Sequence, residues 1–138
     1  MSEEFLIEVL QKEYDAYCQK IRPSEETYRF HTRRHDDGSQ HLEIWGDKYH
    51  LVVTERGSEL ERFSTGSKEE VMYRLLSAIT FEIASDYELK NRIEGRDFRR
   101  MLFAKQVAFM REANPEWAER LAKEIARIVK SYPYNDDE

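Results

Sequence analysis

Four histidines, one cysteine and twenty-eight carboxylates are the residues of this chain most able to do chemistry. His31 and His35 stand four apart, the interval at which two imidazoles on one helix face share a zinc ion. Their neighbours read as strand and turn, Tyr28 and Phe30 alternating with Arg29 and Arg33 before Asp36-Asp37-Gly38-Ser39, so the helical geometry is lost. His31, His41 and His50, with Glu43, would gather on one sheet face if the register aligned them. No paired cysteine, His-Glu-x-x-His run or acidic calcium loop accompanies them, and polar residues on a solvated strand face are expected by default. No metal and no other cofactor is expected. Cys18 lies mid-helix, where a lone thiol is usually a small core residue. A Gly-x-Ser-x-Gly elbow and a glycine-rich phosphate loop are both missing. The expectation is a protein with no catalytic residue of its own. A small acidic hydrolase pairing carboxylates with a histidine is the rival reading.

Charge is densest between Glu88 and Arg100. Glu88 and Arg92 are one helical turn apart in the order that favours an ion pair. Asp97 can cap a helix, with Arg96, Arg99 and Arg100 around the joint, and guanidinium groups at such a bend suit bidentate carboxylate binding. These charges are read first as locking the corner between two helices. Glu55-Arg56-Gly57 reads as a strand end and its turn, and Trp117 as a packing anchor. Trp45, on the polar side of its strand, has the character of an interface core.

The elements that must position these residues follow from periodicity. Residues 2–22 are helical, with Ser2 as cap and Leu6, Leu10, Tyr14, Tyr17 and Ile21 on one stripe. Pro23 ends that pattern. Residues 26–64 switch to period two, with turn signals at Asp36–Ser39, Gly46-Asp47 and Gly57-Ser58, which predicts a four-stranded antiparallel meander. Ser67 with Glu70 forms a capping box opening a long helix towards Ile93, which Gly95 can close. Asp97 opens the next helix, to Ala113, and Asn114-Pro115 opens the last. Pro133 stops it, leaving Asn135–Glu138 as a frayed acidic tail. The fold class is therefore α+β: an N-terminal helix, the four-stranded meander, then three C-terminal helices, with helices packed on one sheet face. Residues 1–138 form a single domain.

Composition narrows the class further. The chain has 138 residues with 22 Lys+Arg against 28 Asp+Glu, a net charge of −6, and 40% apolar residues. Residues 1–66 carry 9 basic and 14 acidic residues, net −5, and residues 67–138 carry 13 and 14, net −1. An acidic chain with no basic half is poorly suited to nucleic acid. No apolar run approaches the roughly 20 residues of a membrane span, and the acidic N-terminus is unlike a secretory signal. A cytoplasmic protein is expected, with no membrane partner.

The stretch Tyr49–Asp136 resembles the immunity protein 63 family of bacterial polymorphic toxin systems. The resemblance rests on Glu55-Arg56-Gly57, Tyr87-Glu88-Leu89-Lys90-Asn91-Arg92 and Asp97-Phe98-Arg99-Arg100 with Phe103 and Gln106. Asn114-Pro115-Glu116-Trp117 and Tyr132-Pro133-Tyr134 complete it. What it implies is a non-enzymatic cytoplasmic inhibitor that binds a cognate protein toxin and protects the producing bacterium. Of the motif residues, Glu55, Arg56, Glu88, Arg92, Asp97, Arg99, Arg100 and Trp117 read as structural. From the charge asymmetry the partner-binding surface is expected to include the outer sheet face or the first helix, with Trp45 as anchor among Glu43, Glu59 and Glu61. A module that simply dimerises through its helices is the third reading, and a homodimer is compatible with the inhibitor reading too.

Overall fold

The computed structural model describes residues 2–22 and 28–137. Its elements run α1 (Glu3–Ile21), β1 (Asp37–Trp45), β2 (Lys48–Glu55), β3 (Ser58–Thr65), α2 (Lys68–Lys90), α3 (Phe98–Ala113) and α4 (Pro115–Ser131). The class is α+β, with four helices and one antiparallel sheet in the order β1-β2-β3 among the described residues. The chain groups into two compact units. One holds α1 as far as Gln19, the sheet and the start of α2 through Leu75; the other holds Lys20–Arg22 and everything from Leu76 on.

The sheet has three strands, not four. Residues 23–27 lie outside the described residues, and Tyr28–Asp36 forms no strand. His31 touches β1 at a single parallel bridge to His41, with its carbonyl accepting from Leu42 N–H at 2.8 Å. A tight turn at Asp36–Ser39 would have produced an antiparallel pair. Instead Asp37, Gly38 and Ser39 begin β1 itself, and the register slips between Asp37 and Gln40. Three arginines, Arg29, Arg33 and Arg34, leave this segment too little apolar surface to hold a ladder.

The other two turns form hairpins with two-residue loops. Gly46 and Asp47 both have φ 60, and Arg56 and Gly57 have φ 51 and 81. Two successive positive φ values are what a tight hairpin needs to match the strand twist. The second turn thus sits on Arg56-Gly57, one residue before the Gly57-Ser58 that sequence suggested.

Register sorts the side chains. Leu42 faces Leu51, which faces Phe63, so these three share one sheet face. That face is met by the start of α2, where the Arg74 guanidinium lies 3.5 Å from the Phe63 ring centre. Lys68 of α2 also bonds Glu13 of α1 at 2.8 Å. Along α1 the buried positions are Leu10, Tyr14, Cys18 and Ile21, and Tyr14 meets Phe30 edge-on at 5.2 Å.

In the second unit, Asp97 and Asn114 cap α3 and α4 as their types suggest. Asp97 accepts from Arg99 N–H, and Asn114 accepts from Glu116 and Trp117 N–H. Trp117 is half-buried at that start. Leu102, Met110, Leu121 and Ile125 pack at the core, and Gln106 donates to the Ser77 carbonyl at 3.0 Å, tying α3 to α2. Helix α2 stops at Lys90, short of Ile93, where Asn91 turns its side chain back onto the Tyr87 carbonyl.

Candidate functional site

The sheet's second face carries a polar cluster. Cross-strand pairing sets Glu43 against His50 and His50 against Ser64, with His41 and Arg62 flanking Val52. His41 and His50 are each only 4% exposed. Trp45, at the end of β1, is 56% exposed and lies flat on the His50 ring, centroids 3.9 Å apart and planes 14° from parallel.

Glu43 organises this face. Its carboxylate accepts from His41 Nε2–H at 2.8 Å, Trp45 Nε1–H at 2.9 Å and Arg62 Nη1–H at 3.3 Å. Burial alone would raise the Glu43 pKa; the hydrogen bonds from Trp45, His41 and Arg62 outweigh it and bring it down to about 2. Arg62 also grips Glu59, with Nη2 at 2.7 Å, and its guanidinium stands 5.7 Å from the Trp45 ring. That pairing holds the Glu59 carboxyl below its ordinary value and the Arg62 guanidinium above its own. The hydrogen-bond partners fix the imidazoles. His50 Nε2–H donates to the Trp45 carbonyl at 3.1 Å, so His50 Nδ1 accepts from the Ser64 hydroxyl at 2.7 Å. His41 spends Nε2–H on Glu43 and leaves its buried Nδ1 without a partner among the described residues.

Of the four residues expected to meet a partner, the structure unites three. Glu43, Trp45 and Glu59 converge through Arg62, whereas Glu61 pairs with Val53 and points to the opposite face. Sequence reasoning missed Arg62 and Ser64; it set His50 on one face with His41 and Glu43 only as a rejected metal site, not as the ring beneath Trp45. The period-two pattern around Leu51 and Phe63 held the signal, since it fixes which residues of β2 and β3 lie beneath Trp45. The His31 and His35 rings lie against one another at 4.2 Å, tilted by 43°, and both are exposed. No cluster of three or more His, Cys, Asp or Glu side chains suited to a metal occurs among the described residues.

A second cluster lies at the α2–α3 corner. Glu88, 2% exposed, accepts from Arg92 Nη2 at 2.7 Å and Nε at 3.0 Å. Asp97 binds the Arg99 guanidinium at 2.8 Å and also accepts from Asn135 N–H at 2.9 Å. These bonds, Arg99 foremost, hold the Asp97 carboxyl far below its ordinary value. The C-terminal residues, expected to fray, are fastened here. Arg99 donates to the carbonyls of Tyr132 and Pro133, both at 2.9 Å. Asp136 receives Arg100 Nε at 3.0 Å and Asp97 N–H at 2.7 Å, and Asp137 N–H reaches the Gly95 carbonyl at 2.8 Å. The Tyr134 ring lies under Arg100 at 4.3 Å. An acidic tail in contact with Arg96, Arg99 and Arg100 has a better partner than water, which is why it does not fray.

The corner cluster contains motif residues in the order sequence suggested, and the model of one known family, immunity protein 63, matches residues 46–127, more than half of the chain. The chain belongs to the immunity protein 63 family. No curated protein and no solved structure matches it. The family match starts immediately after Trp45 and takes in β2, β3, α2, α3 and α4 as far as Arg127. It leaves out α1, β1 and the fastened tail, so Tyr132-Pro133-Tyr134 stands outside it. Within the match, Glu55-Arg56-Gly57 closes the β2–β3 hairpin, and Glu88, Arg92, Asp97, Arg99 and Arg100 hold the corner. None of the helices among the described residues is long and apolar enough to cross a membrane.

Proposed function

We propose that this protein is the immunity partner of a bacterial polymorphic toxin, binding and neutralising it in the cytoplasm without catalysis. Membership of the immunity protein 63 family supports the role. One observation supports the surface: the Trp45 indole is more than half exposed yet immobilised, stacked on His50 with its N–H already given to Glu43. A tryptophan in that state has lost its rotamer freedom and its polar demand before any partner arrives. Burying its free face then costs little, which is the chemistry of an interface hot spot. Arg62 and Glu59 form the polar rim beside it. Glu43 acts from below as a positioning residue, and Glu61, on the other face, lies outside this contact.

Two hydrogen bonds of that face, His41–Glu43 and Ser64–His50, suit a hydrolase; His41 is buried and its Glu43 is committed to Trp45 and Arg62, and His50 is closed off in turn. The His50 imidazole is sealed beneath the indole and its second nitrogen is spent on a backbone carbonyl, so binding is the better reading of that face.

Co-expression with the products of the neighbouring genes, taken as candidate toxins, tests the function, scored by growth rescue and co-purification. Rescue is expected, and its loss in Trp45→Ala with the fold intact is expected too. A complex whose affinity is untouched by Trp45→Ala would remove the sheet face from the interface, and absence of rescue by the wild-type chain would remove the inhibitor role. Light scattering of the isolated protein separates the dimerising-module reading.

A further inference from the structure

The α2–α3 corner holds a cavity of about 340 Å³ with an apolar floor of Ile93, Phe98 and Met101. Ile93 and Phe98 are each at least half exposed there, apolar surface left in water on an otherwise charged corner. Glu88, Arg96, Asp97 and Arg100 complete its wall.

The state of each guanidinium decides what the cavity can take. Arg92 is committed to Glu88 through two nitrogens, Arg99 to Asp97, and Arg100 to Asp136. Arg96 is different. It is 62% exposed, and its ion pair is a 3.7 Å contact to an Asp136 carboxylate that Arg100 already holds at 2.9 Å. Its planar donor set is therefore largely unspent beside an unfilled apolar floor. A guanidinium of this kind is completed by a carboxylate in bidentate geometry. Neither wall carboxylate opposes such a ligand strongly, because each carries its own arginine. The chain's own tail shows the recognition pattern next door: Asp136 on Arg100, with the Tyr134 ring under the same guanidinium.

We infer that this cavity docks a protein segment bearing an aromatic side chain next to an aspartate or glutamate, the ring on Ile93, Phe98 and Met101 and the carboxylate on Arg96. The site is separate from the sheet face, and it stands or falls without reference to any toxin.

The probe is the blocked tetrapeptide acetyl-Ser-Phe-Asp-Ser-amide, titrated into the full-length ¹⁵N-labelled protein, with acetyl-Ser-Phe-Lys-Ser-amide as counterpart. So small a ligand should bind with a dissociation constant on the order of millimolar. The acidic peptide should give saturable amide shifts across residues 93–101 and bind at least about fivefold more tightly than the lysine peptide. Arg96→Glu should remove that preference. Arg96→Lys should keep it in part, which separates lost charge from a disturbed corner, and the sheet amide shifts report that each variant is folded. Equal affinity for both peptides, an unaltered preference in Arg96→Glu, shifts confined to residues 134–137, or no saturable shifts would each overturn the inference.

Discussion

Glu43→Gln tests whether one carboxylate positions the exposed tryptophan. In the folded protein the Glu43 pKa drops from 4.5 to about 2. At full value that difference favours the ionised fold by about 3 kcal/mol. The Glu43 side chain is 32% exposed, however, so water screens part of it, and about 1–2 kcal/mol is the realistic contribution. Glutamine is isosteric but offers one acceptor and one NH₂. If its oxygen keeps Trp45 and Arg62, its NH₂ faces His41 Nε2, and His41 must move its proton to a buried Nδ1 that meets no acceptor. The variant therefore exchanges one fault for another and cannot relax to a neutral equivalent.

The sign of the pH dependence follows from the direction of the shift. A carboxyl with a depressed folded pKa stabilises fully above its unfolded value, near 4.5, and gives that up as pH falls through about 2. Urea denaturation followed by circular dichroism should show Glu43→Gln about 1–2 kcal/mol less stable at pH 7. The gap should narrow below pH 4.5 and nearly close by about pH 2. Trp45 fluorescence should become more quenchable by acrylamide in the variant at pH 7. Equal stability at pH 7, or a gap that stays constant down to pH 2, would refute the role of Glu43 as the buttress of this face.

Three further outcomes are expected. Burial pushes the Cys18 thiol up to about 11, so alkylation by iodoacetamide at pH 8 should be slow in the native protein and fast in urea. Asp136→Ala should leave α3 and α4 intact by circular dichroism while raising amide hydrogen exchange at Asp97, whose N–H donates to Asp136, and at Asp137, whose N–H donates to the Gly95 carbonyl; unchanged exchange would show that the tail is held without it. Leu76→Ala, at a position with no solvent exposure, should cost about 2–5 kcal/mol in urea denaturation.

The helices were legible because their signals are local. Ser67, Asp97 and Asn114 cap where their side chains can reach the next backbone N–H groups, and all three do so. Hairpins with two-residue loops were legible for the same reason, through Gly46-Asp47 and Gly57. The fourth strand failed because alternation of Tyr28 and Phe30 says nothing of what lies alongside, and the ladder that would have held them was absent. The tail failed for the opposite reason: Asp136 is 36 residues from Arg100, and only the fold brings them together. At the sheet face, Trp45 was legible as an exposed indole beside charge. Its immobilisation was not, since that depends on His50 and Arg62, which reach it across two strand pairings.

The same pairings change how the acidity of the N-terminal half can act on a partner. Glu43 and Glu59 were expected to present bare charge around Trp45, yet Arg62 bridges both, so at contact range a partner meets an indole and a guanidinium. At distances longer than the ion pairs themselves the pairing is invisible: residues 1–66 still sum to −5, and that sum acts until salt screens it, over a Debye length of about 8 Å at physiological ionic strength. On the proposed interface, attraction and adhesion thus fall to different residues. Raising salt from about 50 to 500 mM should slow association with a basic partner while leaving dissociation nearly unchanged. Trp45→Ala should do the reverse, speeding dissociation by an order of magnitude or more. If Trp45→Ala slowed association instead, the indole would be part of the steering field and this separation of roles would be wrong.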